Sequence, residues 1–427
     1  MPPNNTIPTY SNKYRNYVLL ILTGVYTFNF IDRQILVILQ EPIKADLLLS
    51  DTQLGLLTGF AFAIFYVTLG IPIARFADKS NRKNIVSIAL VVWSGMTAIS
   101  GFAQNFTHLL LARIGVGVGE AGGSPPSHSI ISDYFPPEKR ATALSIYSTG
   151  VYIGIFLGFL VGGIIGQQYG WRIAFMVLGI PGILYAFLVY FTVKEPLKGM
   201  SDKFKTQEDA PSFKEGMKIL LSRKTFIFVA LGTGFHTFVN YGMGNWFPPF
   251  LARMHGMDTM SIGIWMALSA GIGGGIGTFA GGYIADRLRH KDLRWYCWIS
   301  ALSNLLLFIP LGILFFHANT TLVIGTTFLT NFLGALYLGP SIAVTHSLVS
   351  AKMRAFASAI LFFALNMIGL GFGPLAIGAL SDYLTPMYGD EALRWAMTIS
   401  FGAAFIAMIL FYKASQTYRA DLERVGR

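Results

Sequence analysis

Long apolar stretches, separated by short polar segments, run through the whole sequence. Each stretch is about 20 residues long, the length that an α-helix needs to cross the hydrocarbon core of a bilayer. Alternating segments of about ten residues, which would favour a membrane β-barrel, are not found. The apolar stretches begin near Tyr17, Asp51, Asn84, Thr107, Glu138, Trp171, Thr225, Ser261, Trp295, Thr320, Met353 and Glu391. The pattern therefore predicts an all-α membrane protein with twelve transmembrane helices.

One polar segment, residues 194–224, is much longer than the others. Its charged residues carry both signs, and the apolar pattern stops until residue 225. We expect this segment to be a cytoplasmic linker between two six-helix bundles, formed by residues 1–193 and 225–427.

The two predicted bundles share short motifs. Residues 74–79, after the second apolar stretch, are similar to residues 282–287 after the eighth. Residues 140–143, which open the fifth stretch, are similar to residues 354–357, which open the eleventh, at nearly the same spacing. Internal repetition of this kind indicates two pseudo-symmetric halves. Transporters built in this way place their binding site near the membrane midplane.

Composition and charge agree with a membrane protein. Hydrophobic residues make up 53% and charged residues 12% of the chain, whereas soluble domains have about 25% charged residues. The net charge of +11 does not indicate nucleic-acid binding, because most of the 32 Lys and Arg residues fall on one side of the predicted membrane. The positive-inside rule makes that side cytoplasmic and places both termini there. We expect the basic side to contact anionic lipids.

We expect no metal, no cofactor and no cleaved leader. The single cysteine, Cys297, excludes an intrachain disulfide framework and a cysteine metal cage. The histidines His128, His255 and His346 lack the spacing of metal ligands. The N-terminus does not have the pattern of a cleaved signal peptide. The first spanning helix is therefore expected to target the chain to the cell membrane as a multi-pass protein.

Glycine clusters inside the predicted helices have a packing role. Residues 117–122 and 275–280 have the spacing of a dinucleotide fingerprint, but neither segment follows a strand, and we reject nucleotide binding. Small residues let membrane helices approach closely. We expect the same role in the fifth helix for Gly154, Gly158, Gly162 and Gly163.

Four ionisable residues interrupt the apolar stretches of the first half: Asp32, Arg33, Arg113 and Glu120. Charge near the centre of a bilayer is costly and usually serves a function. Counting about 1.5 Å per residue along each helix places Asp32 and Arg113 at similar depth in the outer half, with Glu120 deeper toward the cytoplasm. We therefore expect an Asp32–Arg113 pair. The alternative is that these charges only hold two helices together, although buried ion pairs are a poor source of stability.

An acid in this position can carry a proton. Burial favours the protonated form of a carboxyl group, and a nearby cation favours the ionised form. Movement of Arg113 relative to Asp32 would therefore make Asp32 take up or release a proton. We interpret Asp32 as the principal proton carrier and Arg113 as its counter-ion. Arg33 and Glu120 are the neighbours that link protonation to the substrate.

Several motifs resemble those of the major facilitator superfamily of transporters. Residues 70–83 resemble the signature between its second and third helices, with Ala74 and Asn81 where glycines are usual. Residues 113–119 resemble its fourth-helix signature. The segments that resemble the spinster subfamily are residues 29–34, 119–122 and 132–143. Organic-anion symporters share part of the first-helix pattern.

The resemblance covers the whole chain and implies the major facilitator fold. It also implies a secondary transporter, not an enzyme, that works by alternating access and acts as a monomer. Studied bacterial spinster-like members are proton-linked, and animal members export sphingoid or lysolipid molecules, so an amphipathic lipid-like substrate is expected. The alternatives are an organic-anion or sugar-acid symporter or a drug exporter of the same superfamily. A lipid scramblase, or a facilitator without proton coupling, is the alternative of another class.

Two further sets of residues follow. Neutral polar groups in the second half, among Phe and Trp, suit a substrate with one polar and one apolar end. The substrate-binding candidates are Glu120, Tyr26, His236, Asn240, Tyr241, Asn331 and Asn366. Acids and bases at the cytoplasmic helix ends are expected to latch that side shut in the outward-open state, because a carboxylate is favourable at a helix N-terminus. The latch candidates are Asp78, Arg82, Asp133, Asp286, Arg287, Arg140 and Arg354.

The charge distribution generates a test of the topology. A cysteine introduced into the linker of a Cys297→Ser chain should react with a membrane-impermeant maleimide only after the membrane has been opened. Modification from outside intact cells would contradict the cytoplasmic assignment of the linker.

Overall fold

The computed structural model describes residues 10–77, 79–201 and 212–424. Within these ranges the regular structure is helical, and the long helices fall into twelve segments that we label α1 to α12. They are α1 (Asn12–Ile38), α2 (Asp51–Ala77), α3 (Arg82–Ser100), α4 (Phe106–Glu120 and Ser124–Tyr134), α5 (Pro137–Tyr169), α6 (Trp171–Thr192), α7 (Lys224–His255), α8 (Thr259–Leu288), α9 (Trp295–Phe316), α10 (Thr320–Ser347), α11 (Arg354–Ala364, Leu365–Phe372 and Gly373–Tyr388) and α12 (Ala392–Phe401 and Ala403–Glu423). The twelve predicted spans are confirmed.

Three of the twelve helices do not meet the combined length and hydropathy of a simple apolar span. Of the described residues, eight stretches are long and apolar enough to cross a membrane by length and composition alone, and α1, α4 and α7 are not among them. Helices α1 and α4 carry the four charged candidates, and α7 carries His236 and Asn240. Several polar site candidates therefore lie on these three helices, whereas Asn331 and Asn366 lie on α10 and α11.

Polar side chains fix where several helices begin. Ser11, Asn105 and Asn319 each accept a hydrogen bond from the backbone N–H three residues further on, at 3.0–3.2 Å. Ser50 forms a capping box with Gln53 at the start of α2. Such caps satisfy N–H groups that have no partner within the helix. They explain why α1 begins before the predicted Tyr17.

Glycines let α5 lie directly against α1. A Cβ atom added to Gly154 would lie 2.6 Å from the Cβ of Phe30, and one added to Gly158 would lie 2.8 Å from the Cβ of Gln34. Real Cβ atoms do not approach so closely, so these positions require glycine for this packing. The prediction of close approach is confirmed here. The residues that α5 touches flank Asp32, and the packing therefore fixes the position of the charged part of α1.

The two halves meet at the end opposite the chain termini, which we call the outer end. There α2 packs on α11 and α5 packs on α8. A Cβ atom on Gly55 would lie 2.5 Å from the Pro374 carbonyl oxygen, and one on Gly163 would lie 2.9 Å from the Cα of Gly263. Backbone-to-backbone contact of this kind closes the outer end.

The beginning of the linker is attached to the first half. Arg82, which is buried, donates to Glu195 at 2.7 Å, to Asp133 at 2.5 Å and to the carbonyl oxygen of Pro196 at 3.0 Å. A short helix, Phe213–Leu221, precedes α7. Residues 202–211 of the predicted linker lie outside the described residues. The division into 1–193, 194–224 and 225–427 stays a prediction.

The packing of α5 on α1 can be tested at Gly154. Gly154→Ala should destabilise the protein by roughly 1–3 kcal/mol, because the added methyl group forces two backbones apart. The matched control is Gly95→Ala in α3, where a Cβ atom would meet nothing within 4 Å. The thermal unfolding temperature of the purified chain measures the effect, and equal temperatures for both variants would contradict the packing argument.

Candidate functional site

Helices α1 and α4 bring the four charged candidates together in the interior of the first half. The side chains of Asp32 and Glu120 have no exposed surface, and Arg113 is 2% exposed. Arg33 is slightly more accessible, with 10% of its side chain exposed. Formal charges of two acids and two bases cancel, so the cluster can be buried without a net charge when all four groups are ionised.

Arg33 and Glu120 form the ion pair of this cluster. The Arg33 Nη2 and Nε atoms lie 2.7 and 2.8 Å from Oε2 of Glu120. The guanidinium also lies over the rings of Phe30, Phe62 and Tyr66, at 4.6–4.9 Å from their centroids. Cation–π contacts of this kind strengthen when the cation is removed from water. The Arg33 guanidinium is therefore held by the Glu120 carboxylate and by the aromatic faces.

The expected carboxylate–guanidinium pair between Asp32 and Arg113 is not formed in the described structure. Arg113 Nη1 instead contacts the backbone carbonyl oxygen of Asp32 at 3.3 Å, and Arg113 Nε contacts the carbonyl oxygen of Leu57 at 3.3 Å. The two residues are neighbours, as their predicted depths require. Arg113 holds the backbone at Asp32, and the charge pairing lies between Arg33 and Glu120.

The carboxyl group of Asp32 has few partners. The Ser94 hydroxyl donates to Oδ2 at 3.4 Å, which is a long hydrogen bond. Among the described residues, Oδ1 of Asp32 has no hydrogen-bond partner. An ionised carboxylate that is buried without donors is strongly unfavourable, and such a group tends to be neutralised. The geometry at Asp32 therefore suits a protonated acid.

The substrate-binding candidate of α1, Tyr26, lies in an aromatic group close to this cluster. Its ring stacks on that of Tyr147 in α5, with centroids 4.6 Å apart and planes at 5°. It also meets Phe30 edge to face at 5.4 Å. Tyr241 of α7 packs against the same hydrophobic cluster of the first half. Tyr26 and Tyr241 thus bring aromatic surface from both halves toward the Arg33–Glu120 pair.

Three candidates of the second half line one pocket. His236 and Asn240 of α7 and Asn331 of α10 border a narrow pocket with a free volume of about 20 Å³, enough for one water molecule or one hydroxyl group. His236 is 1% exposed, and both of its ring nitrogens are occupied. Nδ1 lies 3.0 Å from Oδ1 of Asn304, and Nε2 lies 2.8 Å from the carbonyl oxygen of Gly334. His236 therefore supports the pocket wall and has no free nitrogen for a substrate.

Asn366 of α11 does not line this pocket. It is partly exposed, and its amide donates to the carbonyl oxygen of Phe362, one turn earlier, at 2.8 Å. The sequence placed Asn366 with Asn240 and Asn331 because all three are polar residues inside apolar helices. The structure separates Asn366 from the other two.

The described latch candidates make the following contacts within their own halves. Arg82 binds Asp133, as described above, and Arg140 donates to the carbonyl oxygen of Ser132 at 2.7 Å. Asp286 accepts a hydrogen bond from the Tyr296 hydroxyl at 2.6 Å. The remaining candidates are Arg287, which donates to Tyr283, and Arg354, which is exposed at the start of α11. Asp78 lies outside the described residues, and the latch stays a prediction.

The sequence analysis missed a group of charged residues that joins the two halves at the outer end. Arg253 of α7 contacts both carboxylate oxygens of Asp51 in α2, at 2.7 and 2.8 Å, and Glu41 at 2.7 Å. Lys44 contacts Asp51 at 2.5 Å. These residues lie at helix ends, where charge is ordinary, so their positions in the sequence gave no signal.

Asp382 of α11 completes this outer closure. Its carboxylate accepts hydrogen bonds from the backbone N–H groups of Asp51 and Thr52, at 3.0 and 2.7 Å, and from the Thr52 hydroxyl at 2.6 Å. The accepting carboxylate of Asp382 belongs to the second half, and the N-terminus of α2 belongs to the first half. A carboxylate is favourable at a helix N-terminus because the unpaired N–H groups carry partial positive charge.

The short helix Gln40–Leu47, which carries Glu41 and Lys44, is itself anchored. Asp46 accepts hydrogen bonds from the Arg172 guanidinium and from the Trp171 indole, the latter at 3.1 Å. The hydrogen bond from Arg172 holds the pKa of Asp46 below its usual value. This contact fixes the loop between α1 and α2 on the start of α6.

Among the described residues, no group of three or more His, Cys, Asp or Glu side chains is arranged to hold a metal ion.

Residues 22–302 match the family model of the Major Facilitator Superfamily. The chain is 34% identical to an MFS-type efflux pump of Mycolicibacterium smegmatis, over 95% of this chain and 94% of the pump. It is 27% identical to the hexuronate transporter of Bacillus subtilis, over 92% and 93% of the two chains. It is 26% identical to the sphingosine-1-phosphate transporter of Danio rerio, over 92% and 84%.

One solved structure is similar over nearly the whole chain. It is a bacterial homologue of the human lysosomal transporter Spinster, in an inward-facing and unoccupied conformation. Its TM-score is 0.90 at 33% identity, and the match covers 96% of this chain and 99% of that one. The closed outer end described here agrees with an inward-facing conformation.

The outer closure can be tested at Asp382. Asp382→Asn should shift the population toward the state that is open at the outer end, because it removes a charge and one acceptor at the N-terminus of α2. A loss of about 1–3 kcal/mol corresponds to roughly a five- to 150-fold change in the ratio of the two states. Distances between spin labels placed on the outer ends of α2 and α11 report that ratio.

The control for this test is Asp390→Asn, which makes the same charge change at an exposed position of the outer end. An unchanged distance distribution in Asp382→Asn, or the same change in both variants, would contradict the role of Asp382.

Proposed function

Because the chain belongs to the Major Facilitator Superfamily and is similar to its spinster-like members, we propose that it is a proton-coupled secondary transporter that works by alternating access. The chain is a multi-pass integral membrane protein of a transporter family. What is proposed beyond this is the coupling ion, the substrate and the residues that carry them.

The observation that carries the proposal is the state of Asp32. Its carboxyl group has no exposed surface and one oxygen without a hydrogen-bond partner among the described residues. Glu120 also has one buried oxygen without a hydrogen-bond partner among the described residues, but its other oxygen is paired with Arg33 at 2.7 Å, whereas Asp32 has no side-chain cation paired with it. Asp32 is therefore the acid of the cluster that gains most from binding a proton in this conformation.

Protonation of Asp32 changes the charge balance of the first half. With all four groups ionised the cluster is neutral, and a proton on Asp32 leaves one excess positive charge. A net charge inside an apolar bundle is unfavourable, so the protonated state favours rearrangements that bring an anionic group or water closer. We propose that this change in balance couples proton binding to substrate binding at Arg33 and Glu120, while Arg113 fixes the backbone at Asp32.

The proposed substrate is an amphipathic, lipid-like molecule of the lysophospholipid or sphingoid type. The Arg33–Glu120 pair suits a polar head, and the rings around Tyr26 and Tyr241 suit an apolar part. The similarity to a sphingosine-1-phosphate transporter of Danio rerio supports this choice. The alternative substrates are a sugar acid or a drug, because the relatives include a hexuronate transporter and an efflux pump.

The proposed function also includes the topology, the membrane location and the oligomeric state of the protein. We propose that both termini and the linker are cytoplasmic, that the protein resides in the cell membrane as a monomer, and that the inner latch around Asp78 and Asp286 forms in the outward-open state. The competing function from another class is a scramblase or facilitator that moves substrate without protons.

Reconstituted proteoliposomes test the function directly. A pH gradient should drive accumulation of a lysophospholipid, a sphingoid base, a hexuronate or a hydrophobic cation, each offered alone with an empty-liposome control. Transport of the lipid that requires the gradient supports the proposal, and accumulation of hexuronate instead would move the assignment to the sugar-acid symporters. Lipid movement at the same rate with and without the gradient would favour the scramblase.

The proton role can be tested by substitution. Asp32→Asn imitates the protonated acid. It should reduce gradient-driven transport about tenfold or more, where a tenfold change corresponds to about 1.4 kcal/mol in the activation free energy. Substrate binding should be partly kept. Glu120→Gln should mainly change substrate affinity and its pH dependence, because it breaks the pair with Arg33. Arg113→Ala should reduce transport further, since it frees the backbone carbonyl of Asp32.

The outcome that would exclude this assignment is unchanged gradient-driven transport by Asp32→Asn. If Glu120→Gln then loses proton coupling, Glu120 is the carrier. If both variants keep it, the protein is a facilitator and the buried charges only hold α1 and α4 together.

A further inference from the structure

The pocket between α7, α9 and α10 presents a hydrogen-bonding surface made of uncharged side chains. Three polar side chains other than His236 line it, Asn240, Thr330 and Asn331. Each of them uses a donor on a backbone carbonyl oxygen of the protein. The atoms that they leave for a ligand are therefore three acceptor oxygens and the second amide hydrogen of each asparagine.

Asn331 and Thr330 bond back to their own helix. The Asn331 amide nitrogen donates to the carbonyl oxygen of Thr327 at 2.9 Å. The Thr330 hydroxyl donates to the carbonyl oxygen of Thr326, also at 2.9 Å. An amide oxygen facing a carbonyl oxygen would be repulsive, so these contacts define which end of the Asn331 amide faces the helix. Its Oδ1 atom is the end left for the pocket.

Asn240 is oriented by a carbonyl from the neighbouring helix. Its amide nitrogen lies 2.9 Å from the carbonyl oxygen of Gly334, which also contacts Nε2 of His236 at 2.8 Å. With both lone-pair directions of that carbonyl in use, the oxygen of Gly334 is not available to a ligand. Among the described residues, no donor contacts Oδ1 of Asn240 or of Asn331.

The rest of the pocket is apolar. Met243, Phe247, Leu307 and Leu311 contribute to its wall. Among the described residues that line it, none is Asp, Glu, Lys or Arg. An anion would find no cation there, and an ammonium ion would lose its water without gaining a counter-charge. An uncharged hydroxyl, which can both donate and accept a hydrogen bond, suits these side chains at the lowest desolvation cost.

We propose that this pocket is a subsite for an uncharged hydroxyl group of the transported molecule, which donates its one hydrogen bond to an oxygen of Asn240, Thr330 or Asn331 and accepts from a free amide hydrogen of Asn240 or Asn331. The proposal rests on the proposed transport function and adds a second point of recognition, in the half opposite the Arg33–Glu120 pair. The hydroxyl can belong to a lipid headgroup or to a sugar ring, and the test separates these two sources.

The test is a comparison of ligands that differ only in this donor. Affinities are measured by tryptophan fluorescence for the full chain in nanodiscs, without a pH gradient. One arm compares a lysophospholipid with its glycerol O-methyl ether, and the other compares a hexuronate with its O-methyl ethers. The native chain should bind the hydroxyl form about three- to tenfold more tightly in one arm, the effect of one hydrogen bond.

Substitutions link this preference to the pocket. Thr330→Val and Asn331→Leu remove acceptors at nearly constant volume and should bring the affinity ratio close to one. The matched control is Thr398→Val in α12. Its hydroxyl makes the same bond to the carbonyl oxygen one turn earlier, to Arg394 at 2.8 Å, but Thr398 does not line the pocket. This control should keep the native ratio.

Two results would overturn the subsite. One is equal binding of each ligand and its ether by the native chain in both arms. The other is a native ratio in both Thr330→Val and Asn331→Leu. Because no proton gradient is used, these results are independent of proton coupling, and a failure of coupling in proteoliposomes leaves the affinity ratio interpretable.

Discussion

Four ionisable side chains buried in α1 and α4 set the constraint that the rest of the first half satisfies. Asp32 and Glu120 have no exposed surface, and charge in such a position has to be balanced nearby. The balance is local, since the two acids and the two bases lie within the same half. Close packing of α5 on α1 at Gly154 and Gly158 then fixes the helix that carries two of them. The two glycines and the charged neighbours thus both fix the position of Asp32, where its carboxyl group has few hydrogen-bond partners.

The contacts between the halves are separate from this cluster. At the outer end, Asp382 and Arg253 of the second half meet the N-terminus of α2 and its Asp51. Breaking these contacts opens the outer end without changing the pairing of Arg33 with Glu120 directly. Coupling between the two regions therefore depends on the packing of α1 and α4, which carry the cluster, against α5 and α2, which carry the interface. In the proposed mechanism, a proton at Asp32 acts on the closure through the position of these helices.

The helices could be predicted from the sequence more completely than the contacts of the site. Apolar length located all twelve spans, and the starts of α2, α6, α9 and α10 agree with the predicted residues. Depth along a helix also follows from counting, so Asp32 and Arg113 are neighbours as predicted. Direction around the helix is less certain, because Asp32 and Arg33 are successive residues and point about 100° apart. This difference in direction explains why Arg33, and not Arg113, pairs with a carboxylate, that of Glu120.

The partners of His236 could not be predicted for a similar reason. Asn304 and Gly334 lie far from it in sequence, and a glycine carbonyl leaves no signal in a pattern of side chains.

The closure of the outer end is chemically asymmetric, although the two halves repeat the same fold. The α2 N-terminus receives the charged Asp382 of α11, whereas the α8 N-terminus at Thr259 receives the neutral Gln167 of α5 at 3.1 Å. Charge-assisted hydrogen bonds are about twice as strong as neutral ones. Glycine contacts give close packing on both sides, at Gly55 against Pro374 and at Gly163 against Gly263, so the two sides differ in charge. Opening the outer end therefore costs most at α2 and α11, and a rearrangement that supplies water or new donors to Asp382 lowers that cost where it is largest.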